Sequence, residues 1–238
     1  MPHLPKWVAD GVETLMSSQF HPVLVSEIEY LTDELKRIRF EGDLSGTSFI
    51  PGQVIEFRVN RNDFRHYTPS FYDRNAGICE VLFYLHGRGP GSQWAANLLS
   101  GDAAKLMGPG GKLKFQREAS THFVFGDESS LGLATHLHRA AWAYGQPFSC
   151  LMELTAGNED WPDLVELPAT VVPANTLVSE LTLEKLGWFK PNTDGTSAYY
   201  LTGRASSVQV IRKRLLNQGI PRNRIQTQLY WADGKRGL

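Results

Sequence analysis

Residues 65–94 read RHYTPSFYDRNAGICEVLFYLHGRGPGSQW, and the rest of the chain takes its meaning from them. The stretch opens with Arg65, Tyr67 and Thr68 and closes on Gly87, Gly89, Gly91 and Ser92, ahead of a helical pattern. On a strand, side chains two apart share a face at a spacing of roughly 6–7 Å, so Arg65 and Tyr67 point the same way. A guanidinium pairs with phosphate, an aromatic ring stacks on a planar heterocycle, and the Thr68 hydroxyl can meet a ring nitrogen. Alternating glycines let a backbone approach a ligand closely and take positive φ. Ser92 reads as the N-cap of the helix, whose free N–H groups attract anions. A single ligand with a flat ring at one end and a diphosphate at the other would need both groups. Each stretch taken alone also reads as an ordinary strand or an ordinary tight turn. The turn lacks the Lys-[Ser/Thr] ending of a nucleoside-triphosphate loop, which disfavours ATP.

Working outward, the preceding sequence has period two. Strands are expected at Val23–Tyr30, with a slip near Glu27, at Leu35–Phe40 and at Val54–Val59. Further strands follow at His66–Tyr72, Gly77–Leu85 and Leu106–Phe115, the last interrupted by Gly108-Pro109-Gly110-Gly111. Six short strands with turn punctuation predict an antiparallel six-stranded Greek-key β-barrel. One helix, Ser92–Ser100, is written inside it and ended by Gly101. Beyond Arg117 the grammar changes to strands at His122–Phe125, Pro147–Leu154, Ser197–Thr202 and Arg224–Trp231, with helices at Ser129–Tyr144 and Ser207–Gln218. Alternation of this kind predicts an α/β domain with a parallel sheet covered on both faces. The expected organisation is a leader at 1–19 with a short helix over 5–18, a barrel at 20–117 and an α/β domain at 118–238. Residues 155–196 give the least readable pattern.

Composition narrows the function classes. The chain has 238 residues, 42% hydrophobic and 21% charged, with a formal net charge of −1. That balance belongs to a globular protein and offers no basic field for nucleic acid or an anionic membrane. Cys79 and Cys150 sit in apolar runs, read as buried thiols, and are too few to ligate an iron–sulfur cluster. Reduced thiols fit an intracellular compartment. Asp10 and Glu13 interrupt the N-terminal segment where a secretory signal would be apolar, and no run approaches a membrane span. A cytoplasmic protein without membrane insertion is expected. His136 and His138, two apart on a helix, face different ways and do not chelate a metal. Trp142, Trp161 and Trp188 read as core residues.

Gly126-Asp127-Glu128-Ser129 follows a strand and opens a helix, at the carboxyl end of a parallel sheet where ligands bind. It lacks a G-x-G-x-x-G fingerprint, and it reads equally as a helix start capped by Asp127 or Ser129.

Five pieces together resemble one family. They are Arg65-x-Tyr67-Thr68-Pro69, His86-Gly87-x-Gly89-Pro90-x-x-x-Trp94-Ala95, Gly101-Asp102 with Gly108-Pro109-x-Gly111, Gly126-Asp127-Glu128-Ser129, and Tyr230-Trp231 with Gly234. The chain thereby resembles the siderophore-interacting proteins, flavin-containing ferric-siderophore reductases of the ferredoxin–NADP reductase-like superfamily. The resemblance implies FAD in the barrel, with Arg65 on its phosphates, Tyr67 against the isoalloxazine and Thr68 near its N5. It places His86, Gly87, Gly89, Gly91, Ser92 and Trp94 in the motif whose backbone holds the diphosphate. It implies a nicotinamide nucleotide, NADH or NADPH, near Gly126, Asp127, Glu128 and Ser129, with Trp231 in the C-terminal motif. Ferredoxin is the alternative donor. The chain departs from the superfamily's Gly-Thr-Gly type turn at 126–129, and has Arg204 where many relatives carry an acidic residue after Gly203. Glu153, with Glu159 and Asp160 nearby, resembles a site for a free ribose 2′-hydroxyl and tilts the expectation to NADH.

The implied activity is reduction of Fe(III) in a siderophore by electrons from NAD(P)H or ferredoxin through FAD, releasing Fe(II), which hard oxygen ligands hold less tightly. Arg204, Lys235 and Arg236, together with Arg88, are the candidate cations for docking an anionic ferric chelate. A general flavin or quinone reductase and a non-catalytic siderophore-binding module are the alternatives.

Overall fold

The computed structural model describes residues 19–176, 178–189 and 196–234, so the leader helix expected over 5–18 lies outside the described residues. The chain divides into two compact units between Lys112 and Leu113.

In the first unit, β1 (Phe20–Tyr30), β2 (Leu35–Gly42), β3 (Val54–Arg58), β4 (Phe64–Tyr67), β5 (Phe71–Asp73) and β6 (Ile78–Tyr84) precede helix α1 (Pro90–Asn97) and β7 (Ala103–Gly110). They form one sheet in the order β4-β3-β7-β1-β2-β6-β5, and every pairing is antiparallel. The register of β1 on β2 shifts between Val25 and Glu27, where the alternation of the sequence also slips. The sheet has seven strands where six are expected, because the run His66–Tyr72 is two strands. Pro69 has no N–H to donate to a ladder, so β4 ends before it and β5 starts on a different neighbour. The sheet is rolled. Tyr67 on β4 and Phe83 on β6 are near opposite ends of the strand order, yet their rings lie 4.8 Å apart.

The inward side chains of the sheet, including Val23, Ile38, Phe40, Ile55, Phe57, Val81, Phe83 and Leu106, make one buried cluster, closed by Ala95 on α1 and by Leu98 just after it. The helix is clamped at its far end. Lys36 is fully buried, and its Nζ donates to the carbonyls of Ala95 (2.8 Å), Ala96 (3.3 Å) and Leu98 (2.9 Å). Terminal carbonyls have no intrahelical partner, and a cation there also meets the negative end of the helix dipole.

The second unit runs β8 (His122–Gly126), a 3-10 turn (Glu128–Ser130), α2 (Leu131–Ala143), β9 (Phe148–Leu154), α3 (Trp161–Leu164), β10 (Thr170–Pro173), α4 (Glu180–Lys185), β11 (Ala198–Arg204), α5 (Ala205–Asn217) and β12 (Ile225–Trp231). Its five strands are all parallel, in the order β10-β9-β8-β11-β12. Phe123, Phe125, Leu151, Tyr199 and Leu201 pack with α5 and α4 through Val208, Ile211, Leu215 and Leu183. The alternate residues Val124, Cys150, Met152 and Tyr200 are just as buried and face the other way, the side left to the apolar helix α2. Strand β10 and helices α3 and α4 lie in the stretch whose sequence is least readable. Of the three tryptophans read as core, Trp161 and Trp188 are buried, but Trp142 is 81% exposed near the end of α2. Both cysteines are free and buried, and burial pushes both thiols up. Among the described residues no helix is long and apolar enough to cross a membrane, and no group of His, Cys, Asp or Glu could hold a metal ion.

Candidate functional site

The first unit brings the two halves of the 65–94 stretch together. Pairing with β3 sets Arg65 opposite Phe57 and Tyr67 opposite Ile55. Both side chains reach the start of α1. A Cβ on Gly91 would lie 2.5 Å from the Tyr67 hydroxyl oxygen and 3.2 Å from Arg65 Cγ. Glycine at 91 is therefore demanded by close approach and not by its backbone angle, whereas Gly87 (φ 71°) and Gly89 (φ 111°) occupy positive φ. The Tyr67 ring is half-buried, against Phe83 at 4.8 Å, Phe57 at 6.2 Å and Trp94 at 6.5 Å. Burial raises its hydroxyl above the usual phenol range, so it stays protonated. Trp94 stacks on Phe40 with an interplanar angle of 3°.

The helix starts two residues earlier than its sequence implies. Gly89 is the N-cap, Pro90 the first helical residue, and no side chain caps the end. Ser92 is not the cap. Its Oγ instead accepts the Gly87 N–H at 3.0 Å and fixes the turn. Proline at the first position removes an N–H that would be orphaned anyway. The N–H groups of Gly91 and Ser92 then lie in the uncapped first turn. Arg65 folds back, its guanidinium donating to the Phe64 carbonyl at 2.7 Å and lying 3.6 Å from Asp63. His86 Nδ1 accepts the Arg88 N–H at 3.2 Å. Burial, helped by Arg88, lowers its pKa and keeps the ring neutral. Thr68 is half-buried in the link after β4.

The second unit offers a different arrangement. Strand order reverses between β8 and β11, the switch point beyond which ligands bind in open parallel sheets. Asp127 sits there, 5% exposed. Its Oδ1 accepts from Ser129 N (3.0 Å) and Ser129 Oγ (2.5 Å), and its Oδ2 accepts from Arg204 N (2.8 Å) and Trp231 Nε1 (2.7 Å). The carboxylate thus caps the 3-10 turn and ties together the ends of β8, β11 and β12. Burial pushes its pKa up to about 6, against the pull of those donors. Gly203 (φ 97°) makes room for it, since a Cβ there would lie 2.5 Å from Oδ2. Glu128 also faces inward, with Oε1 accepting from Thr155 N at 2.7 Å and Asn158 Nδ2 at 3.2 Å.

The open part of this edge is a groove of about 270 Å³ lined by Phe125, Glu153, Asn175, Thr176 and Arg204, with Ser206 and Ser207 from the first turn of α5. Glu153 is the acidic strand end facing it. One oxygen accepts the Asn175 N–H at 2.7 Å. Glu159 instead accepts its own loop's Gly157 N–H at 2.7 Å, and neither it nor Asp160 lines the groove. Arg204 is not a free surface cation. It pairs with Asp233 at 2.7 Å, donates to Asn175 Oδ1, and lies over the Trp231 ring at 5.5 Å. Lys235 and Arg236 lie outside the described residues. Asn175, Thr176 and Ser206 were not singled out by sequence. The only local cue was the place of Asn175 and Thr176 after a β-branched run and before a helix, and of Ser206 in the first turn of a helix that follows a strand.

Comparison with known proteins follows the same division. Residues 52–113, covering the strand β4 and the turn into α1, match the family model described as the siderophore-interacting FAD-binding domain. No curated protein matches the chain. Among solved structures, a siderophore utilization protein from T. fusca is 21% identical, with a TM-score of 0.70 over 92% of this chain and 95% of that one. The siderophore-interacting protein SipS from Aeromonas hydrophila is 22% identical, with a TM-score of 0.71 over 92% and 93%. A ferredoxin reductase in carbazole 1,9a-dioxygenase is 20% identical, with a TM-score of 0.74 over 89% of this chain and 68% of that one. Residues 52–113 are thus similar to the siderophore-interacting FAD-binding domain, within a chain whose fold is that of the siderophore-interacting and ferredoxin reductase structures it matches.

Proposed function

We propose that the protein is a flavin-dependent reductase of ferric siderophores that draws its electrons from a nicotinamide nucleotide. The observation that carries this reading is the meeting of Arg65, Tyr67 and Gly91 at the uncapped end of α1. An aromatic side chain, a guanidinium and two free helix N–H groups in one place fit FAD. Tyr67 and Thr68 would face the ring system, Arg65 would exchange its Phe64 carbonyl for a phosphate, and Gly91 and Ser92 would receive the diphosphate. Bound there, FAD would supply the redox chemistry, accepting a hydride and returning single electrons. The chain's own part is to hold and orient. Protonated Tyr67 presents a neutral ring, Ser92 locks the turn, and Lys36 fixes the helix from behind.

The nicotinamide nucleotide is assigned to the second unit at the switch point. The groove beside Glu153 would take a ribose whose hydroxyls donate to the carboxylate, which favours NADH over NADPH. Gly126 and Ser129 would border the nucleotide, while Asp127, Glu128 and Trp231 hold the rim in shape. The two buried free thiols fit a reducing, cytoplasmic setting. A general flavin or quinone reductase is the second reading, favoured by one observation: Arg204 is already committed to Asp233, which leaves one fewer cation for an anionic chelate.

The test begins with FAD binding by wild type and by Arg65→Ala/Tyr67→Ala, followed by absorbance. The double variant should lose the flavin envelope while remaining folded, and wild-type flavin content in it would remove the assignment. Bleaching by NADH, NADPH or reduced ferredoxin then identifies the donor. Rates with ferric siderophores against quinones decide between the two readings, and chelates that prove the poorest acceptors would sink the first.

A further inference from the structure

The parallel sheet of the second unit has two edges, and they are finished differently. At one, β10 is four residues long and closes on Pro173, which has no N–H to offer a further strand. At the other, β12 runs for seven residues, Ile225–Trp231, without a charge, a glycine or a proline. It pairs with β11 on one side, and among the described residues no strand lies on the other. The register on β11 shifts only after Leu229, so Ile225–Leu229 is regular strand, and Leu229 is 37% exposed. Further strands add to regular, uncharged edges of this kind, and folds that avoid such pairing place lysine, proline or a bulge there. Nothing in the flavin reading uses Ile225–Leu229.

The charge around this edge is one-sided. From Ala205 to Ala232 the sequence has the cations Arg212, Lys213, Arg214, Arg222 and Arg224 and no carboxylate, in a chain whose net charge is −1. Arg222 and Arg224 belong to the 3-10 turn (Arg222–Arg224) that leads directly into β12. Exposed Lys114 joins them at the same end: its N–H donates to Gln226 Oε1 at 2.9 Å, and Gln226 Nε2 donates back to its carbonyl at 2.8 Å. None of these cations pairs with a carboxylate among the described residues. We propose that the outer side of β12 docks an extended acidic segment of a partner protein. The segment adds as a sixth strand, with its carboxylates at the Arg222 end and apolar side chains beside Leu229. Backbone hydrogen bonds supply affinity in such an addition, and the charges set the direction and select the partner. A second copy of this chain fits worse. Laid antiparallel, it brings to Arg222 and Arg224 its own Trp231–Asp233 end, where Asp233 is already held by Arg204 at 2.7 Å. Laid parallel, it sets cations against cations.

The test uses the full chain and short fluorescent peptides of alternating valine and threonine. Two carry three glutamates, at the amino or at the carboxyl end, so that both strand directions are sampled, and two controls carry lysines instead. Binding is read by anisotropy, and hydrogen exchange locates it. One acidic peptide should bind at least ten-fold more tightly than its lysine control, should protect amides within Ile225–Leu229, and should weaken as sodium chloride rises. Arg222→Glu/Arg224→Glu should bind it about ten-fold more weakly or worse, since two exposed ion pairs become repulsions. Leu229→Lys should also weaken it by charging the edge, and far-UV circular dichroism checks that both variants fold. Equal binding of acidic and lysine peptides, unprotected β12 amides, or no binding at about 1 mM peptide would overturn the proposal, and all three are read on wild type. A dimer of the free protein in analytical ultracentrifugation, abolished by Leu229→Lys, would give the edge to a second copy and overturn it as well.

Discussion

Replacing Lys36 by methionine keeps the aliphatic stem and deletes the ammonium that closes α1. Three carbonyls then lose their donor, those of Ala95 and Leu98 in buried contacts and that of Ala96 in a partly buried one. An unsatisfied buried acceptor costs about 1–3 kcal/mol, and losing a cation at a helix C-terminus removes about 0.5–1 kcal/mol more. Relief of the desolvated ammonium offsets part of this, and breaking comparable buried arrangements costs about 3–5 kcal/mol net. For a chain of this size that corresponds to a drop in Tm of about 6–20 °C. Urea denaturation followed by circular dichroism gives the energy, and hydrogen exchange on the α1 amides locates it. Exchange should accelerate first at the carboxyl end of the helix, and flavin affinity should fall because the same helix carries Gly91 and Ser92. A loss below about 1 kcal/mol, or exchange unchanged along α1, would show that the lysine is incidental to the helix.

Other outcomes follow from the geometry around the two candidate sites. Gly91→Ala places a methyl against Tyr67 and Arg65, and overpacking of that kind costs about 1–3 kcal/mol; flavin affinity should drop more than stability, and equal affinity to wild type would deny the close approach. Glu153→Gln should narrow the preference for NADH over NADPH in steady-state kinetics by about ten-fold, one charge-assisted hydrogen bond's worth, and an unchanged ratio would remove Glu153 from donor selection. Acid should destabilise the fold. Burial lowers the pKa of His122, and of His66, His86 and His138, below 6.5. The unfolded chain therefore takes up protons first as pH falls below about 6.5, and stability declines from there. Asp127, raised to about 6, works in the opposite sense over the range between 6 and 3.8. Denaturant midpoints at pH 7.5 and 5.5 should show the histidines winning, and a midpoint that rises on acidification would refute this.

Both sheets were legible because each has the plain periodicity of its class. The first unit alternates, and the second interleaves apolar runs with helices. What escaped has specific causes. Pro69 ends a strand inside a run that reads as continuous, and Thr170–Pro173 is a short β-branched run closed by a proline. Lys36 shares its strand face with Ile38 and Phe40, and a lysine at an inward position was the available clue. Its acceptors lie 59–62 residues away, so spacing could not reveal them. Asp127 was readable as a local cap, as its bond to Ser129 N shows. Its other donors come from residues 77 and 104 positions later. At the turn into α1 the residue types were informative, but the assignment of the cap to Ser92 failed because Pro90 had already begun the helix.

The Asp127 node divides the positions open to variation at the sheet rim from those that are closed. Any side chain at 203 would collide with the carboxylate, and any change at 127 abandons four donors drawn from three segments. Libraries aimed at swapping the electron donor should therefore be spent on 176, 206 and 207, with 127 and 203 held constant and 175, whose backbone sits at φ 63°, limited to Asn, Asp and Gly.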